Sequence, residues 1–216
     1  MNTDWNITWG LYEYSYMILQ DLHRSIYSLE VLYENIESYI EKYLEKDLEK
    51  KVNEEVDGTD EDQRAIIQAI FGSSSVTIDA RDIFSQYMIV ATYSFYEKYT
   101  KSIFYLLRKL KYKKLSKKKI DDCFKDGKFA EFLFTEFNIV YKDLTDYKRV
   151  ELLRLLNNDI KHTGKITSKK LKIFNDKWRK NTLIQGNIYN CFKYIKDAPF
   201  NLLEDITNQL VKAKSK

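Results

Sequence analysis

The stretch Arg154-Leu155-Leu156-Asn157-Asn158-Asp159-Ile160-Lys161-His162-Thr163-Gly164 reads as the last three turns of an amphipathic helix. Arg154, Asn158 and His162 stand at i, i+4 and i+8, and at about 100° per residue they stay within one narrow stripe. A basic residue, amides and one of only two histidines in the chain thus share a face. Such a face can grip a phosphate and move a proton near neutral pH, because an unperturbed imidazole titrates around 6.5. The same residues also suit an ordinary helix end. Gly164 is a ready C′ residue, and Lys161 and His162 in the last turn complement the negative end of the helix dipole.

Working outward, this helix extends back to Tyr147, with Val150, Leu152, Leu153, Leu155, Leu156 and Ile160 toward a core or a partner. An aromatic-rich helix from Asp79 to about Tyr112 is apolar nearly all round through Ile103, as expected of a central helix. From about Leu11 to Val52, Leu22, Ile26, Leu29, Tyr33, Ile36, Ile40 and Tyr43 alternate steps of four and three. That heptad seam predicts a long helix, either a coiled-coil arm or the longest helix of a bundle, with Glu30, Glu34, Glu37, Glu41 and Glu45 as a solvated acidic face. Between these helices, Glu54 to Asp62 reads as an acidic loop, followed by a short helix to Phe71 that Gly72-Ser73-Ser74-Ser75 ends. Shorter helices are expected at Ile120–Phe124 and Phe129–Phe137, from a Ser168 cap toward Trp178, and from Leu183 to Ile195. Pro199 is expected to break the chain before a terminal segment from Leu202 to Val211. No block alternates with the β period, so the fold is all-α: a helical bundle in a single domain over residues 1–216. Residues 1–52 form its long acidic N-terminal helix, 53–79 the connector, and 80–216 the core.

Charge is unevenly spread. Residues 1–62 carry 16 acidic and 5 basic side chains, net −11, and the remainder 16 and 31, net +15. This asymmetry suits self-association, an anionic partner such as RNA, or neutralisation within one fold. The densest cations run from Arg108 to Lys119, eight basic residues in twelve, including Lys113, Lys114, Lys117, Lys118 and Lys119. Together with Lys161 these are the candidate nucleic-acid contacts, since clustered cations release counterions on binding phosphates. A lysine-rich solvated loop is the alternative. Cys123 and Cys191 form no spaced pair and read as small buried apolar residues. No metal-ligand cluster, P-loop, dinucleotide turn or serine elbow is present, so neither a metal nor a cofactor is expected. The first residues lack the pattern of a signal peptide and no apolar run approaches a membrane span, so a cytoplasmic protein without membrane contact is expected.

The segment "LLRLLNNDIKHTGKI" resembles the signature of the HEPN superfamily (higher eukaryotes and prokaryotes nucleotide-binding domains), an Arg-Asn-x-x-x-His ending on a late helix of an all-α bundle. Asn158 stands at the Asn position and His162 at the His position. "IVATYSFYEKYTKSIFYLL", Ile89 to Leu107, is similar to the earlier HEPN helix that carries an acidic residue, here Glu97. The chain departs at the arginine: Asn157 occupies its position, and seven residues stand between Arg154 and His162, one too many for the family spacing. The resemblance implies a HEPN-like core, a homodimer joined through this helix pair, and a composite cleft that targets RNA. It implies His162, Asn158, Arg154, Asn157 and Glu97 as the catalytic set of a metal-independent endoribonuclease in a toxin-antitoxin or antiviral defence setting, with an antitoxin as a further partner. With the arginine displaced, a non-catalytic HEPN-like scaffold or protein-interaction module is the other reading.

Overall fold

A computed structural model describes residues 3–39, 42, 60–110, 114–186 and 188–214. Helix α1 (Thr3–Tyr39) lies along α2 (Asp60–Lys109), and the seam predicted from the heptad spacing is the contact. Leu22, Ile26, Leu29 and Tyr33 are buried, against α2 and the last helix of the chain, so the seam serves the bundle rather than a projecting coiled coil. Ile40, Tyr43, Glu41, Glu45 and the rest of the expected helix to Val52 lie outside the described residues, apart from Lys42.

The acidic face of α1 is not simply solvated. Glu30 takes Lys196 Nζ at 2.6 Å and Glu37 meets Arg81 at 3.0 Å, all four side chains less than a third exposed. These pairs join the acidic N-terminal part to the basic remainder, so part of the charge asymmetry is neutralised within the fold. Glu34 stays exposed.

The connector differs more. Asp60 to Lys109 is one helix of 50 residues, and Gly72-Ser73-Ser74-Ser75 continue it rather than end it. Glycine costs only about 1 kcal/mol and serine less in a helix interior, and with no proline present an established helix propagates through them. Asp60, Glu61 and Asp62 open this helix instead of belonging to a loop. Residues 54–59 lie outside the described set.

Three short elements follow: α3 (Lys117–Asp122), where Ser116 Oγ accepts from Lys119 N, a 3₁₀ turn (Lys125–Gly127), and α4 (Phe129–Phe137). Helix α5 (Tyr147–His162) has the bounds its amphipathic pattern predicts, and Gly164 takes the left-handed conformation at φ 61° while its N–H reaches Asp159 O at 2.8 Å. Val150, Leu153 and Leu156 are buried, and Leu152, Leu155 and Ile160 are partly so.

Beyond α5 the chain is less helical than expected. Ser168 caps only a 3₁₀ turn, Lys169–Ile173, because Asn175 Oδ1 accepts from Lys177 N at 3.0 Å and offers the backbone a competing turn. Leu183 to Gly186 do not join the next helix. Leu183 bridges Lys165, Ile184 N donates to Gly164 O, and Gly186 N donates to Asp82, so α6 starts at Ile188 and runs to Ile195. Pro199 does not break the chain. It sits in the first turn of α7 (Ala198–Lys214), where a missing N–H is harmless.

The result is an all-α bundle with α2 at its centre and α1, α3, α5, α6 and α7 packed against it. Among the described residues there is no strand, and no helix is long and apolar enough to cross a membrane. Both cysteines are free and buried, and burial pushes each thiol up to about 12.

Candidate functional site

On α2, Tyr93 and Glu97 are one turn apart and therefore share a face. That face meets α5, whose polar stripe carries Arg154, Asn157, Asn158, Lys161 and His162. The segment between α3 and α4, with Phe124 and Gly127, supplies a third wall. These nine residues line one cavity of about 830 Å³. All five residues of the expected catalytic set are among them, together with Lys161, although Glu97 lies far from the others in sequence.

Their environments differ. Asn157 is 2% exposed: its Nδ2 donates to Asn158 Oδ1 at 3.3 Å, and its own Oδ1 is buried without a partner. Lys161 and His162 are exposed. Glu97 is half-buried, and burial raises its carboxyl above the ordinary range against the opposing pull of Lys101 and Lys161. Arg154 is already engaged. Its Nε and Nη2 donate to Glu151 Oε2 at 3.1 and 2.9 Å, a two-point bond that raises the guanidinium's pKa further. Tyr141 Oη also donates to Glu151, at 3.3 Å.

Asp159, in the middle of the motif, has a structural job. Its buried carboxylate accepts from Thr167 N at 2.7 Å and from Thr167 Oγ1, folding the following loop back on α5. It does not line the cavity.

The lysine-rich run is placed elsewhere. Lys114, Lys117, Lys118 and Lys119 are exposed, and Lys118 and Lys119 border a separate hollow with Asp122, Glu131 and Glu136. Lys119 Nζ is bonded to Glu136 at 2.6 Å. Lys113 lies outside the described residues. The run and the polar cavity therefore share no lining residue.

Several contributors carried no mark in the sequence. Tyr93 belongs to an aromatic run that reads as core, and Phe124 ends a short expected helix. Lys101, which acts on Glu97 and stands 5.6 Å from the Phe124 ring centroid, is one turn from Glu97, and that spacing is the signal that could have found it. Glu151, three residues before Arg154, was legible in the same way.

Arranged so, the cavity offers two cations, two amides, a carboxyl raised by burial and an imidazole: the means to hold a phosphodiester and move protons beside it. No protein-family model, curated protein or solved structure matches the chain.

Proposed function

We propose that this cavity is the RNA site of a HEPN-like protein and that it cleaves RNA without a metal, in a toxin-antitoxin or antiviral defence setting. The observation that carries the reading is that Glu97 and the α5 residues Arg154, Asn157, Asn158, Lys161 and His162 line one solvent-reachable space.

In the proposed reaction a ribose 2′-oxygen attacks the adjacent phosphorus. The new P–O2′ bond forms as the P–O5′ bond breaks, giving a 2′,3′-cyclic phosphate and a 5′-hydroxyl. His162 takes the proton from the 2′-hydroxyl, and Glu97, whose burial favours the protonated carboxyl, returns one to the departing O5′. Lys161 faces the charge that develops on the phosphoryl oxygens. Asn158 orients the phosphate. A second copy docked on the same helix pair would bring two such cavities together.

One observation favours a second reading, a non-catalytic HEPN-like scaffold. The arginine nearest the family position is held at two points by Glu151, and the residue in that position is a buried amide. Incubating labelled single-stranded RNA in EDTA with the wild type and with His162→Ala separates the two. Cleavage by the wild type alone supports the nuclease, and an absence of cleavage by both leaves the scaffold.

A further inference from the structure

Next to the polar cavity lies a second one of about 480 Å³, and the two share Tyr93, Phe124, Gly127 and Arg154. Its character is different. Tyr93, Tyr96, Phe124, Phe129, Tyr141 and Tyr147 contribute aromatic surface to its walls. Phe124 and Phe129 are stacked with centroids 4.4 Å apart, and Tyr96 meets both of them edge-on. Charged side chains line the cavity as well, Lys142, Glu151, Arg154 and Lys170, while Tyr96 is 1% exposed and its hydroxyl is buried without a partner. Another buried atom without a partner, Asn157 Oδ1, belongs to a residue that lines the polar cavity.

We propose that the aromatic cavity is a nucleobase subsite, so that the paired cavities hold one nucleotide unit with its ring among the tyrosines and phenylalanines and its phosphate among Arg154, Lys161 and His162. The proposal rests on the reading of the polar cavity as a phosphate site. A flat heteroaromatic ring suits the walls, because every base has a π-face to stack while its ring nitrogens and carbonyls can accept from Lys142 or Lys170, which also line the cavity. The volume falls within the range of small-molecule pockets. The Arg154–Glu151 pair stands where ring and phosphate would join, a cation toward one and a carboxylate acceptor toward the other.

The chemistry is shared by a free nucleotide and by a nucleotide within an RNA strand, and calorimetry on the full chain distinguishes them. The probes are the four nucleoside 5′-monophosphates, ribose 5-phosphate, a single-stranded RNA hexamer, and the same hexamer with one abasic unit at each position in turn. At least one base-bearing monophosphate is expected to bind about tenfold or more tighter than ribose 5-phosphate, and one abasic position to weaken the hexamer by a similar factor. Ala130→Trp, at an exposed position on the cavity wall, should abolish the advantage by filling the space. Equal binding of monophosphates and ribose 5-phosphate, with RNA bound equally at every abasic position, overturns the subsite and leaves the phosphate reading standing. Monophosphates bound tightly while the hexamer is ignored keeps the subsite and removes RNA as the substrate. No binding of any probe overturns both.

Discussion

Replacing His162 by alanine separates catalysis from structure more cleanly than any other single change. The imidazole is exposed, and among the described residues it makes no hydrogen bond or ion pair. What alanine removes from stability is therefore at most the favourable term of a charged residue in the last turn of α5, about 0.3–1 kcal/mol. For a chain of this size about 1 kcal/mol moves the melting temperature by roughly 2–4 °C. Loss of a general acid–base group, in contrast, lowers the rate by about 10²–10⁴-fold. The companion change three residues earlier has the opposite profile. Asp159→Ala deletes a buried carboxylate that accepts from both Thr167 N and Thr167 Oγ1, and charge-assisted bonds of this kind are worth about 1.5–3 kcal/mol each. Its melting temperature should fall by roughly 6–24 °C. At low temperature the fraction that remains folded should still cleave, because Asp159 does not line the cavity. The assay is release of a quenched fluorophore from single-stranded RNA in EDTA, beside thermal melts by circular dichroism. A His162→Ala protein that melts many degrees lower, with no cleavage in either form, would refute the reasoning: the imidazole would then be holding the helices, and the enzyme reading would go with it.

Glu97→Gln should change stability with a definite sign. Burial raises the folded carboxyl, so its contribution to stability is present below the unfolded value near 4.5 and is lost as pH rises through the folded value. The glutamine variant should thus melt higher than wild type at pH 7–8, and the difference should vanish below about pH 4; a variant that is less stable at neutral pH would mean the two lysines outweigh the burial. Converting Lys114, Lys117 and Lys118 to glutamine should flatten the salt dependence of RNA affinity by up to about two in log–log slope, with Lys119 adding less because Glu136 already holds it. An unchanged slope in filter binding would make the run a solvated surface. Asn157→Arg restores the family's spacing at a position 2% exposed, so it should lower stability by about 1–3 kcal/mol while raising cleavage per folded molecule. Unchanged turnover would show that a missing cation is not what limits the site.

How far the sequence could be read depended on whether local chemistry or distant contacts decided the outcome. Helix α5 was legible to both ends because an amphipathic stripe and a left-handed glycine are local signals. The heptad seam of α1 was legible as a buried face, though not its partner, since spacing says which side is apolar and nothing of what covers it. Gly72 to Ser75 misled because the propensity differences are small beside the advantage of continuing a helix already packed. Leu183 and Ile184 misled for the converse reason: their helix-compatible pattern is overridden by a bridge to Lys165, flanked by the backbone bonds Ile184 N to Gly164 O and Ile166 N to Thr182 O. Within the site, Asn158 and His162 could be named because their spacing puts them on one stripe of a helix, and Glu97 through the resemblance of its helix. Tyr93, Tyr96 and Phe124 could not, because an aromatic side chain that lines a hollow has the same periodicity as one that fills it.

The displaced arginine is best understood through the residues around it. Arg154 stands about 12 Å along the helix axis from His162, at 1.5 Å per residue, whereas Lys161 is next to it in sequence and acts on Glu97 across the cavity. The cation available at the reacting end is therefore an ammonium, a mobile point charge, and not a guanidinium fork that fixes two oxygens at once. The Nε and Nη2 edge of Arg154 has an acceptor already, so a phosphate taking that edge must displace Glu151, exchanging one charge-assisted pair for another with little net gain. Its contribution to affinity is then small unless the ligand also satisfies the released carboxylate, which a base with an exocyclic amine in the aromatic cavity could do. On this account Arg154 discriminates among ligands more than it strengthens binding to any one of them, and charge neutralisation falls to Lys161.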